Sequence, residues 1–166
     1  MGTQLEPIAS RPYMPGYGTL PADEGGGLLP WSWAVERLAA SHDYWLATVR
    51  PDGRPHVMPV WGVWLGDALW FSSGEESRKA RNLSIRPFAT LTTDNAAEPV
   101  VVEGRTDRIR AATTIGHFTA AVNTKYRTDY PVSFFTANVT FRLRPSTAFA
   151  LTDSNFTGSP TRWAFA

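Results

Sequence analysis

The chain has no cysteine. Disulfides, thiolate nucleophiles and cysteine-ligated metals are therefore excluded, and a reducing compartment is compatible with the sequence. Net charge is also scarce: 16 Lys and Arg against 15 Asp and Glu leave +1 at pH 7. A bulk polyanion such as nucleic acid is not the expected partner, and any useful positive charge must be local. Long apolar runs are missing. The longest, Val60–Phe71, carries Asp67 and falls short of the ~20 residues that a bilayer-spanning helix needs. Residues 1–29 show no basic start followed by an apolar core, so neither a signal peptide nor a membrane span is expected, and the expected location is cytoplasmic. His42, His56 and His117 are far apart and lack metal-ligand spacing, so each reads as an ordinary structural residue and no metal is expected. No Gly-x-Ser-x-Gly elbow, His-Glu-x-x-His helix or paired-carboxylate pattern is present. Chemistry built from side chains alone is poorly supported.

What the chain does have is flat aromatic surface and a punctuated pattern of short strands. Aromatics make up 13% of its 166 residues, seven of them Trp, and a chain of this length suits one domain with its own core. Residues 1–29, with Pro7, Pro12, Pro15, Pro21 and Gly25-Gly26-Gly27, read as an irregular arm; residues 30–166 read as a single domain. Trp31, Ala34, Val35, Leu38 and Ala39 form a helical stripe after Pro30. Strands are expected over 44–50, 56–65 and 68–73, joined by Pro51–Pro55 and by the tight turn Gly66-Asp67. Pro59 inside the second of these would lose a ladder bond in a central strand, so it marks an edge, a bulge or an opening toward a ligand. Strands over 88–94 and 99–110 follow, then a helix from Thr113 or Thr114 to about Tyr126. Two closing strands, 134–144 and 146–152, are expected to be split by Pro145. The class is mainly β: a six- to seven-stranded antiparallel barrel with peripheral helices.

One stretch, Trp70 to Thr93, carries the strongest chemical signal. It reads as strand, polar turn, short basic helix, proline stop and strand. Ser77, Arg78 and Lys79 stand where the helix begins. There, free backbone N–H groups and the positive dipole end add to hydroxyl and cationic side chains, which makes a phosphate pocket. The bland alternative is an exposed helix neutralised by the preceding Glu75 and Glu76. Asn82 and Leu83 read as helix packing. A phosphate pocket, many aromatics and no evident nucleophile suggest that a bound cofactor does the chemistry.

The segments Tyr44–Val49, Pro51–Pro55, Val57–Trp61, Leu69–Ser72, Ser77–Leu83 and Pro87–Leu91 together resemble the pyridoxamine 5′-phosphate oxidase-like split β-barrel superfamily. The resemblance covers residues 32–166. The tail Pro160-Thr161-Arg162-Trp163 is similar to the Thr-Arg-Trp ending of the flavin/deazaflavin oxidoreductase branch, which uses coenzyme F-420 in place of FMN. The resemblance implies a homodimer with cofactor at the subunit interface. It implies a ring bed at Val57, Met58, Pro59, Val60 and Trp61, with Ser72 and Ser73 beside the phosphate and Ser77, Arg78 and Lys79 holding it. Arg162 and Trp163 would cap the interface, with Trp163 at the cofactor, and Lys125, Tyr126 and Arg127 could line the site from the partner subunit. Trp61 and Trp64 have opposite strand parity, so at most one faces the ring. An acidic deazaflavin tail would need a positive groove, for which Arg50, Arg54, Lys125 and Arg127 are candidates.

The implied activity is hydride transfer between a reduced deazaflavin and a small organic acceptor. FMN in the same place, and a non-catalytic binding module, are the alternatives. No catalytic side chain is assigned; Tyr126 and Tyr130 are proton-donor candidates on generic chemistry only. The vitamin-synthesising oxidases end in an Arg-x-His signature, whereas here no His follows Trp163. Oxidation of pyridoxamine phosphate itself is therefore not expected.

Overall fold

Turn chemistry sets the order of the sheet. Asp67 and Gly66 both take positive φ, 60° and 55°, the backbone that a two-residue hairpin of matching twist requires. This turn joins β3 (Pro55–Leu65) to β4 (Ala68–Ser73), and Pro51–Arg54 joins β2 (Asp43–Val49) to β3. The computed structural model describes residues 6–166; of the expected arm, residues 1–5 lie outside the described residues. Before these strands come β1 (Ile8–Ser10) and α1 (Trp31–Ala40). After them come α2 (Arg78–Ile85), β5 (Phe88–Thr93), β6 (Val100–Ile109), α3 (Ala112–Tyr126), α4 (Val132–Thr136), β7 (Val139–Ala150) and β8 (Thr161–Ala164).

Six antiparallel strands close a barrel in the order β7-β4-β3-β2-β5-β6, with β6 pairing back to β7; β8 and β1 extend the sheet beyond β7. The barrel interior is filled by Tyr44, Leu46, Leu69, Phe71, Leu91, Val102 and Leu143 among others. On the other side of β3 and β4, Val63 and Trp70 pack on Ile115, Phe118 and Val122 of α3 and on Phe135 of α4. This explains why β4 reads as a continuous apolar run: both of its faces are buried from Ala68 to Phe71. β6 behaves as its alternation predicts, with Val100, Val102, Gly104 and Thr106 inward and Glu103 and Arg105 outward.

Three expectations are corrected. Residues 134–136 are not strand: Pro131 caps the short helix α4, and an apolar pair such as Phe134-Phe135 fits either element. Pro145 does not split two strands, because β7 runs through it. Its missing N–H falls where β4 pairing has ended at Leu143 and β8 pairing has not begun before Thr147. Opposite it the register shifts between Glu103 and Gly104. A Cβ on Gly104 would lie 1.9 Å from the Arg144 carbonyl oxygen, so only glycine allows this close approach. Finally, α3 starts at Ala112 without a side-chain cap, earlier than the threonines suggested.

The arm is held by its own chain. β1 pairs with β8 from Ile8↔Ala164 to Ser10↔Arg162. The Arg11 guanidinium donates to the carbonyls of Pro160, Pro21 and Glu24 at 2.8, 2.9 and 3.0 Å.

Candidate functional site: a split in the barrel beside a basic helix start

β3 is paired with β2 along its whole first half, from Asp43↔Trp61 to Val49↔Pro55. Its other side meets β4 only from Gly62 to Leu65. Residues 55–61 therefore present an open edge, and Pro59 sits on it, where a missing N–H is tolerated. β4 continues past the last β3 pair to Ser72 and Ser73, which pair with Thr140 and Val139 of β7 instead. The barrel is split between these two edges.

Beyond β4 the chain turns into α2. Ser77 is its N-cap, accepting from the Ala80 N–H at 3.2 Å, and its hydroxyl lies 2.8 Å from that of Ser73. Burial of Ala80 and Leu83 fixes the helix on the barrel. Asn82 is likewise buried and donates its amide to the Thr48 hydroxyl at 3.0 Å, tying α2 to β2.

The ion pairs around this helix show which of its charges the preceding acids take up. Glu76 pairs with Arg81, and Glu75 pairs with Arg108 of β6 at 2.7 Å. Among the described residues, the side chains of Arg78 and Lys79 have no ion-pair or hydrogen-bond partner. Glu76 is thus taken up by Arg81 one turn further along the same helix and Glu75 by β6, which leaves Arg78 and Lys79 in the first turn without an acidic partner. His56, on the open edge, feels them. Its pKa is lowered first by burial, then by Arg50, Lys79 and Arg78, and its Nδ1 is shielded without a hydrogen-bond partner. Three cations, Arg50, Arg78 and Lys79, close to one open strand edge fit a phosphate-bearing ligand.

The other predicted residues divide. Val57, at 51% exposure, and Met58, Pro59 and Trp61 are open to solvent along the edge. Val60, at 8%, points into the barrel core, so only its backbone can serve a ligand. Trp163 is fully buried, with its ring 5.3 Å from that of Trp31, and its side chain belongs to the core rather than to a ligand site. Ser72 donates to the Val139 carbonyl at 3.1 Å. Trp61 faces the split and stacks on Tyr126, centroids 4.2 Å apart and planes within 3°. Trp64 turns the other way, onto Trp31.

The end of α3 takes over from β2 where its pairing with β3 ends. Lys125 Nζ donates to the Tyr44 hydroxyl and to the Gly62 carbonyl, each at 2.8 Å. The Tyr126 hydroxyl accepts from the Gly62 N–H at 2.9 Å and donates to the His42 carbonyl at 2.6 Å. Burial pushes the Lys125 pKa down to about 8, against the pull of Asp94 and Asp43. Burial likewise pushes the Tyr126 phenol up to about 12. Tyr126 is therefore a committed hydrogen-bonding group and a poor acid, not the proton donor its type suggested. Lys125 points inward and Arg54 is paired with Asp52 at 2.7 Å, so neither lines a positive groove.

Sequence reasoning missed a second compartment. Trp61, Ser72 and Ser73 also line a cavity of about 230 Å³ with Phe118 and Val122 of α3 and the aromatic residues around α4. The signal was the cluster Tyr130, Phe134 and Phe135 on either side of Pro131. Asn123 shapes it by accepting from the Tyr130 N–H and donating to the Tyr130 carbonyl, both at 3.0 Å.

Comparison with known proteins agrees with this geometry. A pyridoxine/pyridoxamine 5′-phosphate oxidase from Ectopseudomonas mendocina is 38% identical over 76 residues, 44% of this chain; the match spans 35% of that relative's length. A solved conserved hypothetical protein from Mycobacterium tuberculosis shares the fold at TM-score 0.70 and 19% identity, covering 76% of this chain and 87% of that one. A solved F-420 reductase superposes at TM-score 0.57 with 28% identity, covering 68% of this chain and 93% of its own. Flavin-dependent oxidoreductases are among the proteins of this fold, and so is a solved heme-binding protein from Mycobacterium smegmatis, at TM-score 0.56 and 20% identity, covering 76% of this chain and 59% of that one. The sequence model for pyridoxamine 5′-phosphate oxidase matches residues 34–152, and the chain belongs to that family of split β-barrels.

Proposed function

We propose that this chain is an oxidoreductase that moves a hydride between a reduced deazaflavin, coenzyme F-420, and a small organic acceptor. The observation that carries the reading is the pair of uncompensated cations, Arg78 and Lys79, at a helix start beside an open strand edge. The 28% identity to an F-420 reductase favours the deazaflavin over FMN. The cofactor would supply the hydride from its ring at position 5, and the acceptor would take that hydride together with one proton from solvent.

The protein's share is binding, orientation and exclusion of water. Arg78 and Lys79 hold the phosphate, the first able to fork onto two oxygens and the second acting as a point charge. Ser77 and Ser73 add hydroxyls. The edge of β3 at 57–61 offers backbone groups and the flat face of Trp61 to the ring. A second copy of the chain would complete the site. The outward face of β2, β3 and β5 exposes the large apolar side chains Trp45, Val49, Val57 and Phe88, residues of the kind that a homodimer covers.

The test is to titrate FMN and F-420 into the protein, following ring fluorescence, and then to add a panel of acceptors to the reduced complex. Saturable binding of F-420 with acceptor-dependent reoxidation supports the reading. Tighter FMN binding would move the assignment to the flavin. Binding with no acceptor accelerating reoxidation would make the chain a carrier.

A further inference from the structure

The cavity behind Trp61 differs in kind from the clamp. The clamp is cationic, whereas among the described residues no charged side chain lines the cavity, whose polar atoms come from neutral groups such as Ser72, Ser73 and Asn138. Asn138 is held by its amide, which donates to the Phe134 carbonyl at 2.7 Å.

The cavity walls are aromatic and mutually braced. Tyr130 stacks on Phe134 at 4.6 Å with planes 24° apart. Phe135 stands edge-on to Phe118 at 5.1 Å, and edge-on to Phe134 at the same distance. At about 230 Å³ the cavity is smaller than the roughly 300–1,000 Å³ typical of sites for larger ligands. It has room for one ring and not for a tricyclic cofactor, yet it shares Trp61, Ser72 and Ser73 with the edge where the cofactor ring is placed.

Resting on that placement, we propose that this cavity is the acceptor site and that it takes an uncharged, planar, single-ring molecule while rejecting anionic and phosphorylated ones. Two physical reasons support the class. Flat walls favour a flat guest, through offset stacking and edge-to-face contact. A carboxylate or phosphate drawn into the cavity would lose its water and find no cation there, which is strongly unfavourable. The site thus divides the work: charge recognition at α2 for the cofactor, and neutral aromatic recognition at α3 and α4 for the acceptor.

The experiment uses a matched pair of probes, nitrobenzene and 4-nitrobenzoate, and reads their binding to the full chain by ligand-observed NMR, with and without cofactor. The wild type is expected to bind nitrobenzene about tenfold more tightly than 4-nitrobenzoate, or better. Phe134, 45% exposed at the rim, can be changed without opening the core. Phe134→Ala is expected to weaken nitrobenzene several-fold, and Phe134→Arg to shift preference toward 4-nitrobenzoate, with cofactor affinity unchanged in both.

Equal binding of the two probes would overturn the proposal. So would a Phe134→Ala variant that loses cofactor affinity while keeping nitrobenzene, because the cavity would then hold the cofactor ring. If neither cofactor binds yet the cofactor-free protein still separates the probes, the neutral-ring site is supported and the cofactor reading alone falls.

Discussion

The chain has two lysines, Lys79 and Lys125, and they stand near opposite ends of the first half of β3 with opposite roles. Lys79 lies in the first turn of α2, close enough to His56 to depress its pKa, and has no bonded partner among the described residues. Lys125 lies in the last turn of α3 and is bonded to the Tyr44 hydroxyl and the Gly62 carbonyl. It replaces a strand: β2 pairing ends at Asp43↔Trp61, and Lys125 with Tyr126 satisfies the Gly62 backbone beyond it. What marks a ligand site is a charge left available, not a charge merely present. Both lysines follow from sequence position at a helix end, but only the tertiary partners separate them.

Substitution should break this symmetry in opposite directions. Lys79→Ala is expected to lower cofactor affinity by roughly ten- to a hundredfold, the loss of a charge-assisted contact of about 1.5–3 kcal/mol. Its thermal midpoint should stay within a degree or so of the wild type in differential scanning calorimetry. Lys125→Met should do the reverse. It leaves the Gly62 carbonyl without its amine donor, costing about 1–3 kcal/mol, or some 2–4 °C of midpoint per kcal/mol in a chain of this size. Cofactor affinity measured well below that midpoint should change little. A Lys125→Met protein as stable as the wild type would remove the structural half of the comparison.

pH sharpens the contrast. The folded Lys125 pKa is about 8, against an ordinary value of 10.5. Between these values the unfolded chain holds a proton that the folded chain has released, so stability rises with pH across that window. The difference in chemical-denaturation stability between wild type and Lys125→Met should therefore grow in favour of the wild type from about pH 8 to pH 10. A difference flat with pH would mean that the amine is not buried as described. The smallest effect is expected from Glu75→Gln and Glu76→Gln. Their partners are Arg108 and Arg81 at the surface, and such pairs contribute about 0–1 kcal/mol. Cofactor affinity should change by less than about threefold; a larger gain on removing either acid would show that it neutralises Arg78 or Lys79 after all.

Much of the frame was legible because local chemistry and tertiary structure agree. The Gly66-Asp67 hairpin and the helix start at Ser77 were each read in place, and of the three readings that Pro59 allowed the structure takes the open edge. Legibility failed where a residue's role depends on what lies across the sheet. Val57 to Trp61 form one continuous candidate bed in sequence, yet strand parity sends Val60 inward. The Thr-Arg-Trp tail looks like an interface cap, yet β8 lies against β7 and carries Trp163 into the core. Pro145 looked like a strand break because nothing in its neighbours announces a gap between β4 and β8. The acceptor cavity could not be assembled from sequence, since β3, β4, α3 and α4 each contribute only a wall.

The central claim is that Arg78 and Lys79 recognise a phosphate. The most direct measurement is the affinity of FMN relative to riboflavin, which differ only by that phosphate, in the wild type and in Lys79→Ala. The wild type should prefer FMN by about tenfold or more, and the preference should fall to near unity in the variant. A preference that survives the loss of Lys79 unchanged, or a wild type indifferent to the phosphate, would contradict it.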